Sequence, residues 1–105
     1  MFFGPRVPNM SNDELRQELE DGSVTLIDVR EPREYSAGHV PSAMNLPIGG
    51  LPQSAAQLDH GARIVVICQS GNRSVRAGKM LLKAGFSDVR NVAGGTGAWG
   101  GKLKR

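Results

Sequence analysis

The run Ile64-Val65-Val66-Ile67 constrains this chain more than any other segment. A continuous β-branched stretch is the mark of a central strand covered on both faces. The segments around it alternate in type. Ser11-Asn12-Asp13-Glu14 has the form of a capping box, Leu15 and Leu19 follow at helical spacing, and Asp21-Gly22 closes the helix. Val24–Val29 reads as a buried strand. Pro32 opens a short helix through Tyr35 that ends near Gly38, and Ala43–Leu46 reads as a short strand before Pro47. A weak helix is expected from about Leu51 to Leu58. A firmer one runs from Val75 through Ala84, with Ala77, Leu81 and Ala84 on one stripe and Gly85 ending it. Val89–Val92 is the last strand, and Gly94–Trp99 a loop leading to a final turn. Strands alternating with helices predict a small α/β domain around a central, mainly parallel sheet flanked by helices.

With 105 residues the chain has room for one small domain. Its ends, residues 1–8 and the basic tail 101–105, are expected to be flexible. One cysteine excludes an internal disulfide, a C-x-x-C redox pair and a thiolate-rich zinc site. No apolar run approaches the ~20 residues needed to cross a bilayer. Met1–Arg6 lacks the basic-then-hydrophobic order of a secretory signal, so a cytoplasmic monomer is expected. The net charge of +3 comes without a recognisable nucleic-acid reading element. It suits an anionic substrate without identifying one.

In parallel sheets ligands gather beyond the carboxyl ends of the strands, which is where Cys68 falls. Cys68-Gln69-Ser70-Gly71-Asn72-Arg73-Ser74 joins the central strand to the next helix. A short, polar, glycine-containing link lets successive backbone N–H groups turn inward as an anion nest. The helix that follows adds its unpaired N–H groups and positive dipole end. Both favour thiolate over thiol, so the pKa of Cys68 is expected to fall. A ring of N–H donors also suits a persulfide, whose outer sulfur is anionic, and no second cysteine is present to resolve it. The plain alternative is an inert, buried cysteine at a strand end.

At this point the chain resembles the rhodanese family. Asp28-Val29-Arg30-Glu31-Pro32-Arg33-Glu34-Tyr35 looks like its upstream signature, a strand ending in Asp-x-Arg before a short helix. Gly38-His39-Val40-Pro41-Ser42-Ala43 is similar to Gly-His-Ile-Pro-Gly-Ala, with Ser42 in place of glycine. Cys68 through Arg73 resembles the active loop, and Gly94-Gly95-Thr96-Gly97-Ala98-Trp99 the C-terminal Gly-Gly-x-x-x-Trp. The resemblance implies a small parallel α/β fold and a double displacement. A donor such as thiosulfate passes a sulfane sulfur to Cys68, and a thiophilic acceptor, small molecule or protein, removes it. No metal or organic cofactor is implied. The backbone of Gln69, Ser70, Gly71, Asn72 and Arg73 would cradle the persulfide, with Asp28, Arg30 and Ser74 supporting the site.

Arg73 is the candidate anion-binding side chain; the bland alternative is an exposed first-turn arginine. Arg30 and Glu34, four apart, are expected to form a surface ion pair worth ~0.3–0.5 kcal/mol. Asp28 is expected to order the loop by accepting backbone hydrogen bonds. His39 is expected to stabilise a turn, His60 to be solvated and Trp99 to pin the last turn onto the core. Cysteine phosphatases and arsenate reductases also use a thiolate in an anion nest, but their arginine falls where this chain has Ser74. Arg73 comes one residue early, and the shorter ring suits one sulfur better than a phosphate. A binding or regulatory module, or a carrier of sulfur to a protein partner, remains the other class of function.

Overall fold

The computed structural model describes residues 4–105. The reading of Met1–Arg6 as carrying no signal therefore lies partly outside the described residues. Five parallel strands form one sheet: β1 (Asn9–Met10), β2 (Thr25–Asp28), β3 (Met44–Asn45), β4 (Arg63–Ile67) and β5 (Asp88–Val92). Their order is β1-β5-β4-β2-β3, which places β4 at the centre as its β-branched run requires. Helices α1 (Asn12–Asp21), α2 (Pro32–Ala37) and α3 (Asn72–Lys83) connect them.

The alternation of side chains along β4 divides the core in two. Ile64, Val66 and Cys68 face a cluster with Ala77 and Leu81 of α3, Phe86 and Val89. Val65 and Ile67 face the opposite cluster, with Leu15 of α1, Val40 and Val92. Both faces of the central strand are thus dry, and its carboxyl end is the one place where the chain must leave the sheet.

Helix α1 begins as its sequence dictates. Ser11 Oγ accepts from Glu14 N, Glu14 Oε1 accepts from Ser11 N, and Gly22 caps the far end at φ 74°. Helix α3 starts three residues before the expected Val75, because Gly71, at φ 95°, turns the chain directly into its first turn. The helix expected over Leu51–Leu58 is instead a pair of 3-10 turns, Ile48–Gly50 and Gln53–Ala55. Pro52 has no N–H to donate to a continuous ladder; Leu51 and Ala55 are buried in the core and Leu58 packs against it part-buried.

The described parts of both ends make backbone contacts with the domain. Pro8 O accepts from Asn91 N at 2.8 Å, and Asn9–Met10 pairs with Asn91–Val92, a strand too short to leave a sequence pattern. In the tail, Lys104 exchanges two backbone hydrogen bonds with His39, 2.8 and 2.9 Å, and Leu103 packs over Gly38.

Ser42 is the one non-glycine residue at positive φ among those described, 79°, on an exposed turn. Left-handed backbone brings Cβ against the following carbonyl in every residue except glycine. Ser42→Gly should relieve that contact, offset in part by a more flexible unfolded chain, for a net gain of about 0.5 kcal/mol. Urea denaturation checks it; a loss of stability contradicts it.

Candidate functional site

Cys68 follows the last residue of β4 and is only 1% exposed. Its surroundings are not purely aliphatic. Gly71 N donates to Sγ at 3.1 Å, Ser74 N at 3.4 Å and Ser74 Oγ at 3.3 Å. Burial pushes the thiol up, but these donors outweigh it, Ser74 Oγ most, and the pKa settles below its ordinary value. The Ser70 N–H adds to the effect without reaching hydrogen-bond geometry.

Among the described residues, no group accepts a hydrogen bond from the backbone N–H of Gln69, Ser70, Asn72 or Arg73. Unpaired N–H groups in a tight loop and a helical first turn make a concave, electropositive cup. Around the sulfur, the segment wraps as tightly as its glycines permit. A Cβ on Gly71 would collide with the Ala93 carbonyl, and one on Gly95 with the Gln69 carbonyl. The loop is held open from outside, since Thr96 N donates to Cys68 O at 2.8 Å and Gly97 N to Gln69 O at 3.0 Å. Those bonds explain why Gly94–Trp99, far away in sequence, belongs to the site.

The model of the rhodanese-like domain matches residues 11–102. The chain belongs to the rhodanese-like domain family. Among curated relatives, the Bacillus subtilis (strain 168) protein named "Putative sulfur carrier protein YrkF" is 36% identical over 93% of this chain. The match takes in 54% of that protein, so the chain spans about half of its length. "Putative sulfurtransferase YtwF" of the same organism is 38% identical, with 93% of this chain and 95% of that one covered. The structure of the human single-domain sulfurtransferase TSTD1 superposes with a TM-score of 0.80 at 31% identity, covering 89% of this chain and 95% of that one.

In this rhodanese-like domain the charged residues pair differently from the expectation. Arg30 does not meet Glu34 at the surface. It turns inward onto Asp28, Nη2 to Oδ2 at 2.9 Å and Nε to Oδ1 at 3.1 Å, with Asp28 0% and Arg30 3% exposed. The same guanidinium donates to Gly38 O at 2.8 Å and to Gln69 Oε1 at 3.2 Å. It thereby ties the end of β2, the turn after α2 and the cysteine loop together. Asp28 accepts one backbone hydrogen bond, from Arg30 N at 3.0 Å, so its main service is to Arg30 rather than to the loop.

Glu34 is taken instead by Arg73. Nη1 and Nη2 of Arg73 donate to the two carboxylate oxygens at 2.7 and 2.9 Å. The Arg73 hydrogen bonds hold Glu34 well below the usual carboxylate range, at about 2. The arginine, its side chain 34% exposed, is thus held by Glu34. It fastens the start of α3 to α2 and keeps a positive charge beside the loop.

Ser74, expected only as support, touches the sulfur through two donors. Behind it lies Asn91, whose Oδ1 accepts from Ser74 Oγ. Sequence reading passed over Asn91; a carboxamide inside the strand Val89–Val92 was the available signal. His39 stacks on Tyr35 with ring centroids 3.7 Å apart, and its Nδ1 meets Tyr35 O at 2.9 Å, as a turn-stabilising histidine should. His60 is exposed and stacks on Phe86. Trp99 packs at the edge of the α1-side cluster, with Arg16 over its ring. No cluster of His, Cys, Asp and Glu among the described residues is disposed to hold a metal ion.

A buried ion pair is costly to break one-sidedly, because the remaining charge has neither water nor partner. Asp28→Ala should cost about 3–5 kcal/mol in chemical denaturation. The double variant Asp28→Ala/Arg30→Met should lose clearly less. Equal losses would show that the pair does not act as a unit.

Proposed function

We propose that this domain moves a sulfane sulfur through a persulfide on Cys68. Its thiolate attacks the outer sulfur of an anionic donor such as thiosulfate, and sulfite leaves with the bonding pair. The charge then resides on the outer sulfur of Cys68–S–S⁻. A thiophilic acceptor, cyanide in the assay, attacks that sulfur; thiocyanate forms and the thiolate returns. Neither step consumes a proton or an electron from elsewhere.

One observation carries this reading: N–H and O–H donors converge on Sγ while neighbouring loop N–H groups have no acceptor among the described residues. The first set favours an ionised sulfur, and the second is suited to the anionic sulfur one bond further out. Phosphate-binding loops have their arginine at the position that Ser74 occupies here, and Arg73 comes one residue early. Family membership supports sulfur chemistry, and YtwF carries a sulfurtransferase name.

A second reading concerns the acceptor. The name of YrkF is that of a sulfur carrier, which favours a protein rather than a small molecule as the natural recipient. In both readings the proposed location is the cytoplasm; no helix among the described residues is long and apolar enough to cross a membrane. It needs no cofactor.

Incubation with thiosulfate should add the mass of one sulfur atom to the intact protein, and cyanide should remove it as thiocyanate. Cys68→Ser should abolish both. Uptake and turnover that persist in Cys68→Ser would overturn the assignment. Wild-type protein that takes up no sulfur would leave a binding module as the better account.

A further inference from the structure

The hydroxyl of Ser74 has one proton and two claimants. One is Cys68 Sγ at 3.3 Å, the other Asn91 Oδ1. Asn91 lies in β5, 2% exposed. Its orientation is fixed from behind: Nδ2 donates to Asn9 Oδ1 at 3.1 Å and to Gly71 O at 3.4 Å. The Gly71 carbonyl can only accept, so the amide nitrogen must face it and Oδ1 must face Ser74.

Each protonation state of Cys68 then dictates where the hydroxyl proton goes. With a thiol, S–H points to Ser74 Oγ and the hydroxyl proton to Asn91 Oδ1; every buried acceptor is served. On ionisation the sulfur needs a donor. The hydroxyl turns toward Sγ, and Asn91 Oδ1 is left buried without one. Leaving a buried carbonyl unpaired is costly, so Asn91 resists ionisation at Sγ.

We propose that Asn91 is a positioning residue that holds back the acidity of Cys68 by competing with its sulfur for the Ser74 hydroxyl proton. If Cys68 carries a persulfide, a point that rests on the function proposed above, the charge moves to the outer sulfur. Sγ becomes a poor acceptor, and the proton returns to Asn91. Asn91 thus disfavours charge on Sγ itself while leaving charge on the outer sulfur to the loop N–H groups.

Other charges near Cys68 are paired or exposed to solvent. From α3, Arg73 pairs with Glu34 of α2, while Arg76 and Lys79 are exposed; from β2, Asp28 pairs with Arg30. On β5, Arg90 lies against Asp88 and against Glu18 of α1. None of these is altered by changing Asn91 to a neutral residue.

The test is the pH dependence of Cys68 alkylation by iodoacetamide in wild type, Asn91→Leu, Ser74→Ala and the double variant. Asn91→Leu should lower the titration midpoint by roughly half a unit to one unit, about the strength of one hydrogen bond. In the Ser74→Ala background the same change should produce no lowering. A midpoint that stays or rises in Asn91→Leu, or an equal lowering in both backgrounds, overturns the proposal. Should Asn91→Leu fail to fold, the side-chain carbonyl ¹³C resonance of Asn91 gives the answer without it. That resonance should titrate with the thiol in the otherwise native chain and hold still in Ser74→Ala; equal movement in both, or none in either, contradicts the proposal. Alkylation needs no sulfur donor, so this result is independent of whether thiosulfate is the substrate.

Discussion

Cys68–Gly71, four residues, carry the chain from the end of β4 to the start of α3, and the site follows from how little room that leaves. A strand buried on both faces cannot wander; it must turn at once onto the helix that covers one face. In so short a link the backbone N–H groups cannot find carbonyl partners, and the most compact way round is to wrap them about the side chain at the strand's end. Cysteine at that position receives donors from Gly71 and Ser74. Acidity is thus a by-product of sheet geometry, and a larger side chain than glycine at 71 or 95 would meet a carbonyl oxygen.

A loop with unsatisfied donors is not stable by itself, and the surrounding contacts keep it in place. Thr96 and Gly97 take up the carbonyls of Cys68 and Gln69, so those carbonyls point away from the sulfur. Arg30 reaches the Gln69 side chain from the buried pair with Asp28, and Arg73 fixes the helix start to α2 through Glu34. Among the described residues, the groups these contacts leave facing the sulfur are donors, the Gly71 and Ser74 N–H groups and the Ser74 hydroxyl. A charged sulfur there meets dipoles already oriented, which costs no rearrangement when the charge arrives.

Sequence patterns conveyed the architecture because burial writes itself in periodicity. The Ile64–Ile67 run and the Ser11 capping box are local and appear where expected, while the loop after Cys68 gives way to helix three residues sooner, after Gly71. The pairings of charged side chains did not follow the same rule. Spacing along the chain suggested Arg30 with Glu34; Arg30 instead folds back onto Asp28 two positions away, and Glu34 is taken by Arg73 from thirty-nine positions away. Asn91 escaped notice for the same reason, since its partners Asn9, Gly71 and Ser74 come from three other segments. Contacts distant in sequence leave no period to read.

In the proposed function, main-chain donors receive an anionic sulfur at the end of β4. Two-dimensional ¹⁵N–¹H spectra before and after treatment with thiosulfate address it directly. The amide protons of Gln69, Ser70, Gly71, Asn72 and Arg73 should move downfield together as sulfur is taken up, while those of the distant Asp59–Ala62 turn stay in place. Sulfur uptake that leaves the loop amides unmoved would contradict the central claim.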